Sequence, residues 1–409
     1  MDPQTVVTGL GRVAPRGPGT DAERRASRWL AAVLREDLER EAQVETVWVR
    51  PNHALVIALH AAVGVAGSVL AVSRPAIGLG LALAALVSWV LDGLGLAHLG
   101  RRLTPARATQ NLVSPPTAAT RSGRRRIVRL VITAAYDAGR AGIVHREPVR
   151  RAVARVRAWT GGRLPGSGTF LALALAAVAG LAGLRLAGVD AGWVGAVQLV
   201  PTVGLMAALA LAVDTALSRT GPGAGDPASG AAVALALAGA LDRDPPRHLG
   251  VEVVLAGAGE GPSLGMRQFV RARRGRWRPE ATAVIHLAAC GRGRPRWWAS
   301  DGPVLPQRLH PTLAGLAADV AEDHDARPHR GHGATGAWRA RRAAWPAIAI
   351  GCLEDDAWPR DSHTAQDTAD RVDPKSMAAA LEFSIAVVRA LDDDLSGRVQ
   401  PPTASSRIQ

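Results

Sequence analysis

Four stretches without a single Asp, Glu, Lys or Arg, at residues 54–73, 75–91, 166–184 and 191–213, constrain this 409-residue chain more than any other feature. A bilayer core of roughly 30 Å takes about 20 apolar residues in helical form, and each run is close to that length. Arg74 alone separates the first two, while Arg185 and Asp190 mark the break in the second pair. The alternative is a set of buried helices in a large soluble core. Four such runs, paired around short breaks, instead favour two transmembrane hairpins and a multi-pass protein of the cell membrane.

Charge sets the expected orientation. Between the hairpins stand fifteen arginines, from Arg101 to Arg163 and including Arg121, Arg124, Arg125 and Arg126, opposed only by Asp137 and Glu147. Positive-inside bias places that segment in the cytoplasm, and two hairpins return both termini to the same side. The net charge of +14 comes almost wholly from arginine, Lys375 being the one lysine. Such a charge suits either nucleic acid or an anionic lipid surface. Beside membrane spans the lipid is the expected partner, with headgroups contacted through the Arg-rich segments and no nucleic acid. Cys290 and Cys352 are too few for a disulfide framework or a CxxC metal site. The polar N-terminus has no apolar stretch typical of a signal peptide.

Outside the hairpins the pattern alternates between strands and helices, which implies an α/β fold with a mixed sheet covered by helices. Thr20 and Glu23 are spaced as a capping box before a helix, and 44–49 reads as a strand. Residues 127–132 form a β-branched run leading to Asp137. The stretch 146–159 reads as an amphipathic helix along the headgroups. A Gly/Pro turn at 220–229 precedes an Ala-rich helix, strands are expected at 251–255, 283–287 and 347–350, and Asp373-Pro374 opens a last helix. This divides the chain into 1–52 (helix and strand), 53–99 (hairpin), 100–165 (cytoplasmic segment), 166–214 (hairpin), 215–395 (main domain) and 396–409 (disordered tail).

Four loops at strand ends carry acid or imidazole groups. They are Tyr136-Asp137-Ala138, Gly225-Asp226-Pro227-Ala228-Ser229-Gly230, Gly257-Ala258-Gly259-Glu260 and Ser362-His363-Thr364-Ala365-Gln366-Asp367-Thr368. Singly each is ordinary: Asp226 before Pro227 suits a helix cap, and Glu260 and His363 suit solvated loops. In this order and spacing they resemble the co-catalytic zinc aminopeptidases, the family of bacterial leucyl aminopeptidases and glutaminyl cyclase-like enzymes. The resemblance implies a zinc exopeptidase-like fold interrupted by the hairpins, and two divalent metals bridged by one carboxylate. Asp226 then falls on the bridging acid, Glu260 and His363 on the ligands of one metal, and Asp137 on the acid that orients the first metal histidine.

The departures from that pattern cluster. Ala135 stands where the first metal histidine belongs, Ala288 where an Asp ligand belongs, and Gly259 where the general base belongs. A methyl group has no lone pair to donate, so one metal position is lost. What remains, Asp226, Glu260 and His363, is an open three-ligand set of the kind that suits one Zn2+, or none. Loss of a general base costs about 10²–10⁴ in rate, and loss of a second metal removes part of the charge clamp. His286, two residues before Ala288 on the same strand face, is a possible substitute ligand. The expectation is a catalytically inactive binding or scaffolding module with a peptide or protein ligand. The alternative is a membrane-bound metal-dependent exopeptidase or hydrolase using one metal or relocated ligands.

Other signals carry less. Gly257, Gly259 and Gly261 follow a strand, but Pro262 occupies the third glycine position of a dinucleotide loop. His324, His329 and His332 read as a mobile loop rather than a metal site. Trp297-Trp298 among arginines reads as a headgroup contact.

Overall fold

The computed structural model describes residues 1–117, 128–160 and 165–399. Arg121, Arg124, Arg125, Arg126 and Arg163 of the basic segment, Ile127 of the expected strand, and 400–409 of the expected tail lie outside them.

The sheet grows at its centre from β-branched runs too short and too dense in Val, Ile and Leu for an amphipathic helix. Its strands are β1 (Gln43–Val49), β2 (Arg107–Ser114), β3 (Val128–Ala135), β4 (Leu249–Ala256), β5 (Thr282–Leu287), β6 (Arg294–Asp301), β7 (Gln307–Arg308), β8 (Arg327–Arg330) and β9 (Ala347–Leu353). Their spatial order is β1-β2-β4-β3-β5-β9-β6-β7, with β8 beside β6. The four central strands β4, β3, β5 and β9 run parallel, and β2 and β6 flank them antiparallel. A parallel centre must be covered on both faces, and every residue of β4 is buried.

Twelve helices stand among the described residues: α1 (Pro3–Gly11), α2 (Asp21–Glu36), α3 (His53–Ser73), α4 (Pro75–Gly93), α5 (Glu147–Trp159), α6 (Ser167–Leu186), α7 (Gly192–Leu217), α8 (Ser229–Arg243), α9 (Leu264–Arg273), α10 (Pro311–Asp319), α11 (Gly336–Arg342) and α12 (Pro374–Val399). Alternation along β3 divides the core. Leu130 and Ile132 pack with Leu10, Leu34, Leu237 and Phe383 on one face; Val131 packs with Met266, Phe269 and Ala340 on the other. Arg16, fully buried, ties the layers at the strand ends by donating to the carbonyl oxygens of Tyr136, Leu10 and Gly223.

Three sequence expectations change here. Trp297 and Trp298 are buried on opposite faces of β6, packed on Phe383 and His329, and not at headgroups. His329 lies in β8 rather than in a mobile loop, and burial pushes its imidazole down to about 3. The last helix continues through Val399, past Ser396, where the tail was expected to begin.

Among the described residues, five helices are long and apolar enough to cross a membrane: α3, α4, α6, α7 and the stretch Ala224–Arg243 that contains α8. The last is a different object, because α8 is buried in the core of the sheet domain. The other four form a bundle with a core of its own, built on Val56, Ala82, Leu171, Leu175 and Leu205. Small residues bring α3 and α4 together: a Cβ on Gly78 would stand 2.5 Å from Cα of Ala71, as in close-packed membrane helices. Gln198 donates to the carbonyl oxygen of Ser68 at 2.7 Å, and Ser68 and Thr202 hydroxyls meet at 2.6 Å, joining the two hairpins. Their outward sides stay apolar and exposed, at Val69, Ile77, Leu173, Leu199 and Val203 among others.

Candidate functional site

The carboxyl ends of parallel strands are where an open α/β sheet binds ligands, and the four motif loops gather at that edge. The loop after β4 is held from below through its amides. Gly257 N–H donates to Asn111 Oδ1 at 3.2 Å and Ala258 N–H to Glu23 Oε1 at 2.8 Å. Gly259 and Glu260 N–H donate to the two oxygens of Asp137 at 2.5 and 3.0 Å. Asp137 is therefore a tether for the loop 257–261, rather than a partner of an imidazole at position 135. Burial, with the charge of Glu23 adding to it, pushes the Asp137 carboxyl well above its ordinary range.

That tether closes the space left by the missing side chains. A Cβ built on Gly259 would lie 2.2 Å from Cβ of Ala135. The loop thus rests directly on the residue at the lost histidine position. With two small residues facing each other, the backbone occupies the volume that a base and an imidazole would need.

Beyond this contact the retained groups lie near one another. His363 Nε2 stands 3.4 Å from Glu260 Oε1, and His363 Nδ1–H donates to the Arg140 carbonyl oxygen at 3.1 Å. Burial opposes charge on His363, yet Glu260 and Asp226 outweigh it and raise the imidazole above its usual range. Burial also raises Glu260, with His363 opposing that shift and Asp226 adding to it. Asp226 is turned to Ser362, whose hydroxyl donates to Oδ2 at 2.6 Å. It caps no helix, since α8 begins without a side-chain cap. Asp367 accepts from the amides of Gly225 and Asp226 at 2.5 and 3.2 Å; burial and the Asp226 charge push it up to about 7.

These groups do not make a two-metal centre. Glu260 and His363 face each other, Asp226 faces Ser362, and among the described residues no three His, Cys, Asp or Glu side chains group as a metal site. His286, weighed above as a substitute ligand, pairs across the sheet with Thr133 and Ala349. It is turned toward α11, where a Cβ on Gly336 would meet its Nδ1 at 2.7 Å. Ala288 packs against Gly351, whose Cβ would stand 3.2 Å from its methyl.

Three participants escape motif reading. Glu23 has the spacing of a capping box, and Thr20 does accept from its amide at 3.3 Å. Its carboxylate, however, accepts from Gly19, Ala258 and the Thr109 hydroxyl. Asn111 lies in β2, a strand absent from the sequence reading. His145 stacks on His363 with ring centroids 4.3 Å apart, and burial followed by the charges of His363 and Arg150 holds it down to about 3. A capping-box acid beside a β4-end loop is the one signal that points at Glu23 in advance.

The tether has a measurable consequence. Asp137→Ala leaves two loop amides without acceptors, at about 1–3 kcal/mol for each buried donor left unpaired. The expected result is a lower melting temperature, with faster hydrogen exchange at Gly259 and Glu260 before other strand-end amides. Unchanged exchange there would mean that Asp137 does not hold the loop.

The family model described as Peptidase family M28 matches residues 211–388. Over that segment the chain is similar to the M28 peptidases. Its fold is shared with a glutaminyl cyclase from Porphyromonas gingivalis at 15% identity and TM-score 0.52, over 96% of this chain and 97% of that one. A leucine aminopeptidase precursor from Bacteroides thetaiotaomicron gives 14% identity and TM-score 0.52 over 95% and 96% of the two chains. BSAP, a zinc aminopeptidase from Bacillus subtilis, gives 12% and 0.52 over 94% and 93%. At such identities the likeness is one of fold. No curated protein matches.

Proposed function

We propose that this M28-like chain is a membrane-anchored, catalytically silent relative of the zinc aminopeptidases that works by binding a peptide or protein ligand as a scaffold. The observation that carries the reading is the contact of Gly259 with Ala135. It fills the place of the base and of one metal, so peptide hydrolysis lacks both its proton acceptor and half of its electrophile. Asp226, Glu260 and His363 would hold at most one divalent ion, whose chemistry there would be to polarise a bound carbonyl group. The competing reading is a one-metal hydrolase, or one with relocated ligands, and the closeness of Glu260 to His363 is in its favour. Against it, His286 is turned toward α11. Assay of the detergent-solubilised full chain on aminoacyl substrates with added zinc is expected to give no turnover. Turnover that disappears in both His363→Ala and His286→Ala would refute the silent reading.

The anchoring rests on the four apolar helices and their exposed outer faces. The sheet domain contacts the bundle at one end, where the Thr169 hydroxyl of α6 donates to the Val304 carbonyl at 2.6 Å. Hence the domain and both termini share one face, which the arginine bias makes cytoplasmic. A cysteine introduced at exposed Lys375 is expected to resist an impermeant thiol reagent applied to intact cells. One at Gly188, in the second hairpin turn, is expected to react. The reverse pattern overturns this topology.

A further inference from the structure

Between the bundle and the sheet domain lies a cavity of ≈ 1230 Å³, larger than the roughly 300–1,000 Å³ usual for small-molecule sites. Its two ends differ in chemistry. One wall is apolar and comes from α6 and α7, with Phe170, Ala174, Ala177, Ala208 and Leu211. The other is polar and comes from α5 and the strand-end loops, with Arg150, Arg157, His332 and Trp358, and it reaches Glu260 and His363.

The hydrogen-bonding capacity of the polar end is one-sided. Its acids are engaged: Asp301 accepts from the amides of Gly333 and Thr335, both at 2.9 Å, Asp356 pairs with Arg150 at 3.5 Å, and Glu260 faces His363. Five of its nitrogens are not. Nε of Arg150 and Arg157, Nε1 of Trp358 and Nδ1 of His145 and His332 are buried without a hydrogen-bond partner. Buried polar groups are ordinarily satisfied, so five such atoms lining one cavity mark a place for an acceptor-rich group. Two guanidinium groups among them make an anion the fitting acceptor.

We propose that the cavity holds one anionic lipid, its acidic headgroup against Arg150, Arg157 and His332 and an acyl chain along Phe170, Ala174 and Ala208. An amphiphile is the occupant because neither a free anion nor a neutral hydrocarbon satisfies both ends. The proposal rests on the membrane-anchored reading given above. It makes the remnant of the peptidase site the polar end of a lipid chamber entered from the bundle side.

Native mass spectrometry of the full chain in mild detergent, with phosphatidylglycerol or phosphatidylcholine added at equal concentration, tests it. One phosphatidylglycerol is expected to be retained in preference to phosphatidylcholine. Arg150→Gln and Arg157→Gln should each weaken that retention about five-fold, and Arg157→Lys should weaken it less. Gly204 lines the chamber and a Cβ there meets nothing within 4 Å. Gly204→Trp is therefore expected to block retention while leaving the melting temperature unchanged. Equal retention of the two lipids, or retention indifferent to both Gly204→Trp and the arginine variants, overturns the proposal. So does glycerol phosphate displacing the lipid at equal concentration, since the site would then take a small anion. Alkaline carbonate extraction separates the two failures. A chain released by carbonate sinks the anchoring and the chamber together, whereas a chain that stays in the membrane yet retains no lipid sinks the chamber alone.

Discussion

A fragment from Thr220 to Leu395, although it contains almost all of the M28-matched segment, is expected to show no cooperative thermal transition. The reason lies in strand order. Strand β3 runs in the middle of the sheet, paired along Val128–Ala135 with β4 and along Arg129–Ala134 with β5. Removing it deletes two ladders and leaves β4 and β5 with facing inner edges and nothing between them. Each buried backbone group left unpaired costs about 1–3 kcal/mol. Several together exceed the roughly 5–15 kcal/mol by which a domain is stable. The fragment also loses Leu10, Leu30 and Leu34, which cover one face of the sheet. Circular dichroism and calorimetry of the fragment check this. A sharp, reversible melt would mean that the hairpins and everything before them are appended to a self-sufficient domain.

The sequence shows that dependence only in part. The run at 127–132 is recognisable as a strand from its β-branched residues, but its central place is not, since pairing partners are set by packing across more than a hundred residues. Strand β2 escapes altogether because Thr109, Gln110 and Asn111 interrupt any apolar pattern. Those residues are buried because they serve the loop over them: Asn111 accepts from Gly257, and Gln110 supplies a backbone acceptor to both Gly257 and the Tyr136 hydroxyl. Strand β6 escapes because arginine and proline surround its tryptophans, although the sheet buries both rings. Helix α1 is short, and its Asp2 cap is a weak sign by itself. At the site, motif spacing brings Asp226, Glu260 and His363 into one neighbourhood. It misses the loop that settles onto Ala135, because that contact follows from atoms absent at two positions distant in sequence.

Rebuilding the family pattern with Ala135→His, Gly259→Glu and Ala288→Asp is expected to fail, and the failure is informative. The three replacements restore every donor that the resemblance asks for, so by residue type alone they should recreate a two-metal hydrolase. Space forbids it. The Cβ of a glutamate at 259 already falls 2.2 Å from the Cβ of Ala135, before an imidazole is added at that position. Neither atom belongs to a flexible side-chain end, so the loop itself must lift. Lifting it pulls the amides of Gly259 and Glu260 away from Asp137 and draws Ala258 from Glu23. Overpacking costs about 1–3 kcal/mol, and the broken tethers cost more. The triple variant is therefore expected to melt at a lower temperature than the parent, to bind fewer than two zinc equivalents by metal analysis, and to remain without aminopeptidase turnover. Ala288→Asp alone separates space from chemistry, because it adds a carboxylate away from the Gly259–Ala135 contact. If the triple variant binds two zinc ions and keeps its melting temperature, the loop opens at little cost. The silence proposed for the parent would then come from missing ligands alone and not from a closed site.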